Sequence, residues 1–188
     1  MENPQITVPT PAGDLQFSWS ESYGEWRTIH HLPGWIGYKC ENSLPELANG
    51  QVYLIIESSP GKEPSIKQVQ SLTWLLAKPD AASEMVVNAI YEFYPQQKQS
   101  AAAYLDTETL NMLYPNVRQK DDLRGLISLS RVYIYEESKG GLPYLGFDFE
   151  CNWDVEHGLK VLINGHRIVA LGTDALNPSN IKSDAGTI

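Results

Sequence analysis

The side chains of this chain best suited to chemistry stand in one short run, Trp153-Asp154-Val155-Glu156-His157-Gly158. Asp154, Glu156 and His157 are residue types that bind divalent metals or move protons. A carboxylate beside an imidazole orients it as a general base, and two carboxylates with a histidine hold an ion with one position open. With a distant histidine such as His166, they would make a metal-dependent hydrolase. On an extended backbone, however, neighbours point in opposite directions, so Glu156 and His157 meet one ion only if the chain bends, as Gly158 permits. In the plainer reading, Asp154 and Glu156 accept hydrogen bonds from backbone amides in a turn between strands, with His157 at its edge.

A second set shares the parity of Asp154. Asp148, Glu150, Asn152, Asp154 and Glu156 alternate along the chain like a calcium loop. There is no glycine at the sixth place, though, and Leu159 stands where the bidentate glutamate belongs. The row reads instead as an acidic strip on the open face of a sheet. It is either simply solvated or turned toward a cationic partner, which makes Asp148, Glu150, Asp154 and Glu156 the partner-binding candidates. His30 and His31 point opposite ways in a strand and have no ligand at a telling spacing. Trp19, Tyr23, Trp26 and Trp35 read as core, with one or two left exposed to anchor a partner. There is no Gly-x-Ser-x-Gly elbow, phosphate-binding glycine loop, dinucleotide fingerprint or His-Glu-x-x-His. The reading therefore leans away from an enzyme and assigns no catalytic residue, metal or cofactor.

The elements that must position these groups follow from periodicity. From Tyr144 to Trp153, Leu145, Phe147, Phe149, Cys151 and Trp153 alternate with Tyr144, Gly146, Asp148, Glu150 and Asn152, which predicts one long strand with an apolar underside and an acidic top. Residues 158–163 and 166–171 flank Asn164-Gly165, the signature of a type I′ hairpin. Residues 1–13, with Pro4, Pro9 and Pro11, read as an irregular lead-in. Strands are expected at 15–19, 26–31, 35–40 and 51–57, the last covered on both faces. Ser65 caps a helix whose stripe is Ile66, Val69, Leu72, Leu75 and Leu76, and Pro79 ends it. Asp80 then caps a second helix with the stripe Met85, Val86, Ala89, Ile90 and Phe93, closed by Pro95 before a loop at 96–103. The two form a helical hairpin. Short helical turns at 106–114 and 121–125 precede a strand at 130–136, and the chain frays over 177–188. The expected fold class is α+β, with antiparallel sheet(s) of N- and C-terminal strands packed on a central helical hairpin. It forms a single domain over 1–188, with its core at 14–174 and a tail at 175–188.

Composition bounds the function. The chain has 188 residues, 42% of them hydrophobic, and 14 basic against 23 acidic side chains give a net charge of −9. That is ample for one core, and no apolar run approaches the roughly 18 residues of a membrane span. A surface of this sign repels phosphate backbones and favours a basic protein as partner, so neither nucleic acid nor membrane is expected. Oligomeric state is open. The start Met1-Glu2-Asn3-Pro4 lacks the features of a signal peptide, and a cytoplasmic location is expected. Cys40 and Cys151 are then expected as two buried free thiols.

The run Gly146-Phe147-Asp148-Phe149-Glu150-Cys151-Asn152-Trp153-Asp154-Val155-Glu156-His157-Gly158-Leu159, continuing to Arg167-Ile168-Val169 and Gly172-Thr173-Asp174, resembles the closing segment of a bacterial domain family of unknown function. Pro64, Gln68, Tyr91 and Tyr94 are similar to its middle portion, and the likeness spans residues 14–174. Lys160 departs from it, standing where a small residue is expected. The resemblance implies a cytoplasmic bacterial protein with an α+β domain, in a class associated with immunity or accessory roles in toxin systems. It implies no catalytic residues. Three readings follow: a non-enzymatic protein-binding module with an acidic surface, the hydrolase described above, and a structural or oligomerisation protein whose sheet edges pair between copies.

Overall fold

Alternating burial assembles the strand-forming runs into one sheet. The computed structural model describes residues 4–11, 13–58 and 62–186. Among these, β1 (Gln5–Val8), β2 (Leu15–Ser20), β3 (Glu25–His31), β4 (Gln51–Glu57), β5 (Ile127–Lys139), β6 (Leu142–Cys151), β7 (Leu159–Asn164) and β8 (Arg167–Gly172) lie side by side in chain order. Every neighbouring pair is antiparallel except β4 and β5, which run parallel with Tyr53 opposite Arg131 and Ile56 opposite Ile134. A parallel pair needs a long crossover. Here it carries α1 (Ile66–Ala77), α2 (Pro79–Ala101) and α3 (Thr107–Leu113). The mixed α+β class is as expected.

One face of the sheet is greasy throughout. Phe17, Trp26, Leu54, Ile56, Val132, Leu145, Phe147, Phe149 and Val161 are all buried and share one cluster with Leu72, Leu75, Val86 and Ile90 of the helices. Burying such side chains is worth about 1.5–3 kcal/mol each. The underside of β6 is therefore the side that the alternation indicated. The Ser65 cap is also present, as a capping box with Gln68.

Several expectations are corrected. The N-terminal lead-in contains β1. Its flanking prolines are tolerated because this is an edge strand, and Pro4 accepts a bond from the Trp19 amide at 2.9 Å. Residues 35–40 form no strand, since Pro33 starts a 3-10 turn, Pro33–Trp35, that inserts Trp35 against Phe149 with ring centroids 5.1 Å apart. Pro95 does not end α2, which runs on to Ala101 and so replaces the expected 96–103 loop. Burial of Tyr94 and Ala101 outweighs the one backbone bond that proline removes. Lys78, not Asp80, is the cap residue of α2.

Only Lys78 separates α1 from α2, too short a link for an αα-hairpin, which needs about 2–5 loop residues. Instead α1 lies along β5 and β6, while α2 meets β8, the 3-10 turn Pro33–Trp35 and a second 3-10 turn, Lys120–Gly125. The β7–β8 turn also slips by one residue. Asn164 pairs with Arg167, leaving Gly165 and His166 in the loop, and only Gly165 (φ 57°) is positive. That is the φ pattern of type II′ rather than I′. Asn164 is instead buried, and its amide donates to the Leu142 carbonyl at 2.8 Å. Finally, the stretch expected to fray holds α4 (Pro178–Ala185).

Candidate functional site

The 153–158 segment is a closed turn. β6 ends at Cys151, and Trp153 folds back into the core, where its ring meets Tyr94 at 5.2 Å and Tyr114 at 6.0 Å. Asp154 then caps the turn: its Oδ1 accepts from the His157 amide at 2.9 Å and sits 3.1 Å from His157 Nδ1. Lys160 donates to the His157 carbonyl at 2.7 Å. Gly158 completes the bend with φ 63°, and a Cβ there would lie 2.2 Å from the Phe149 carbonyl oxygen. Asp154 and His157 are thus brought together, while Glu156 is exposed. His166, beyond the far end of β7, packs on Trp74 at 5.3 Å. Among the described residues, no three His, Cys, Asp or Glu side chains gather in a way that could hold a metal ion.

The acidic strip is less open to water than alternation implied. At the top of β6, Tyr144 is fully buried and Gly146 lies under Leu176, because α4 and the segment before it cover this end of the sheet's second face. The Asp148 and Glu150 side chains are only 14% and 20% exposed, and both meet Arg131, at 3.3 and 3.6 Å. Cross-strand pairing extends the pattern, with Asp148 opposite Arg131 on one side and Lys160 on the other. Burial pushes the Asp148 carboxyl above its ordinary range, more than Lys160 and Arg131 pull it back. These two carboxylates are therefore ion-paired to Arg131 within the sheet rather than free on its surface.

Alternation along β6 alone did not reveal what lies beyond Arg131. The second face continues onto β3, β4 and β5, where nothing comparable to α4 covers it among the described residues, and forms a depression of about 220 Å³. Tyr23, Glu25, Arg27, Glu46, Tyr53 and Tyr133 surround it. Arg27 Cζ lies 5.4 Å from the Tyr23 ring centroid and 5.3 Å from that of Tyr53, a cation–π arrangement. The Tyr53 hydroxyl donates to Glu46 at 3.4 Å. Burial holds the Glu25 and Glu57 carboxyls above their ordinary range and pushes the Tyr133 hydroxyl up to about 12. The sequence signal was the second parity of three separate strands, visible only once the register sets them side by side.

His30 and His31 are not gathered into any site, and burial lowers the His30 pKa. Trp19, Trp26 and Trp35 are core, whereas Tyr23 is 70% exposed. Cys40 and Cys151 are free and buried. No described helix is long and apolar enough to cross a membrane. No curated protein and no solved structure matches the chain. Residues 25–177, from the start of β3 to the residue before α4, match Domain of unknown function (DUF6985), and the chain belongs to that family.

Proposed function

We propose that this chain is a non-enzymatic protein-binding module that presents an acidic surface to a basic protein, in the manner of an immunity protein of a bacterial toxin system. The observation that carries the reading is the uncovered part of the second face, where the exposed Tyr23 and its neighbour Tyr53 flank Arg27. Tyrosine and arginine are the residue types that anchor interfaces. Glu21, Glu46, Glu136 and Glu137 are exposed on and around this part of the sheet. With the net charge of −9, they favour a partner of opposite sign by steering its approach. Asp148, Glu150, Asp154 and Glu156 act in this reading through the field they add, since the first three are already engaged within the chain.

The test is affinity capture from a lysate of the source cell, with the recovered protein purified and its association rate followed against salt. The doubly reversed variant Glu136→Lys/Glu137→Lys is run beside the parent. A basic partner is expected, binding more slowly as salt rises, and more slowly still to the variant. A partner whose association ignores both salt and charge reversal would overturn the proposal, as would recovery of none.

A further inference from the structure

The depression on the second face has the parts of a receptor for a small zwitterion. Its floor is Ile55, only 2% exposed although it lies on the uncovered half of that face. Its walls are the rings of Tyr23, Tyr53 and Tyr133. Two opposite charges line it from one strand: Glu25 and Arg27 are two residues apart on β3 and so project to the same side.

Neither charge is used up by the fold. Among the described residues, the Arg27 guanidinium is held by tyrosine rings alone and makes no ion pair or hydrogen bond, so its five N–H donors are not engaged. Glu25 likewise has no ion pair or hydrogen bond there, and burial disfavours its charge more than the nearby Arg27 restores it. The other arginine of the depression provides the contrast, since Arg131 is already bound by Asp148 and Glu150. Half-buried opposite charges on one wall that do not bond each other are complemented by a molecule carrying both signs.

Size narrows the class. The depression has a volume of about 220 Å³. It falls below the ~300–1,000 Å³ of sites for drug-sized ligands.

We propose that the depression over Ile55 binds a free α-amino acid. The carboxylate lies along the N–H edge of Arg27, the ammonium meets Glu25, and the side chain rests on Ile55, Tyr53 and Tyr133. A planar guanidinium pre-set by aromatic faces suits bidentate capture of a carboxylate, which a lysine does not reproduce. This site shares Tyr23, Arg27 and Tyr53 with the proposed protein-binding face, but the two fail separately, because that reading is tested with a partner protein and charge reversals at Glu136 and Glu137, and this one by titration of the chain alone.

Isothermal titration of the full chain with the standard proteinogenic amino acids tests it. The best binder is then compared with its decarboxylated amine and its deaminated acid. Saturable binding is expected, weakened about tenfold or more by loss of either group. Arg27→Ala and Arg27→Lys should both weaken it to that extent, whereas Glu25→Gln should weaken the amino acid and spare the deaminated acid. Near-UV circular dichroism confirms that each variant is folded. Absence of saturable binding by every amino acid would overturn the proposal. So would an amine that binds as well as its parent, or unchanged binding by Arg27→Ala.

Discussion

Gly158 shows how closely one residue can be specified. Its φ of 63° lies where side chains with a Cβ are strained, and a Cβ would also collide with the Phe149 carbonyl oxygen. Gly158→Ala is expected to cost about 1–3 kcal/mol from backbone strain alone, read as a lower denaturant midpoint with an unchanged slope. An unshifted midpoint would show that the turn relaxes freely. The sequence placed Asp154, His157 and Gly158 in one bend and correctly indicated a backbone-capping carboxylate for Asp154. It did not indicate that Glu156 would stand apart, because the direction of a side chain in a bend depends on dihedrals that no residue type sets alone. Arg27 was unremarkable for a similar reason, since its companions Tyr53 and Tyr133 come from strands far apart in the chain.

Elements were legible where a local signal decided them and illegible where a distant contact did. The alternation in β6 fixed its buried side, and the Ser65 cap fixed the start of α1. In α2 the helix survives Pro95 because Tyr94 and Ala101 are buried on partners remote in sequence, and the Tyr94 hydroxyl donates to the Pro115 carbonyl at 2.8 Å. The C-terminal helix α4 shows the same dependence. Only Ile181 among its residues is buried, yet Asp184 draws it onto the sheet. Arg167 donates to the Asp184 carboxylate at 2.9 and 2.6 Å, Tyr144 donates at 2.6 Å, and Lys139 bonds the Asp184 carbonyl.

Those hydrogen bonds, Arg167 foremost, hold the Asp184 carboxyl well below the usual carboxylate range. A depressed folded-state pKa contributes stability above the unfolded value, and that contribution is lost as pH falls through the folded one. Docking of α4 should therefore weaken in acid below the ordinary carboxylate range. Glu25, Glu57 and Asp148, raised by burial, act with the opposite sign, and their contribution is lost as pH rises through their folded values. Asp184→Asn is expected to abolish the acid-side loss assigned to α4, with hydrogen exchange in α4 already faster at neutral pH. Exchange in α4 that is unchanged by the substitution would remove Asp184 from that role.

At the scale of the whole molecule, the two thiols report on opening of the core. Cys151 sits in the main cluster, where burial pushes its thiol up to about 12, and Cys40 is buried beside the same strand end with its thiol raised. Thiolates react, thiols do not, and both groups are shielded. Labelling by a thiol reagent at neutral pH is expected to be slow in the native protein and to rise together with global unfolding in denaturant. Rapid labelling of Cys40 without denaturant would mean that the loop over it opens by itself.

The one parallel seam, between β4 and β5, divides an otherwise sequential ribbon into two stacks of hairpins. Each stack is zipped by neighbours in the chain, but nothing local can join the two. Their union requires closing a loop that contains α1, α2 and α3, at an entropic cost that local pairing does not incur. Assembly of this sheet is therefore gated at its middle rather than at its edges. The depression between Arg27 and Arg131 spans that seam and cannot exist until it is closed.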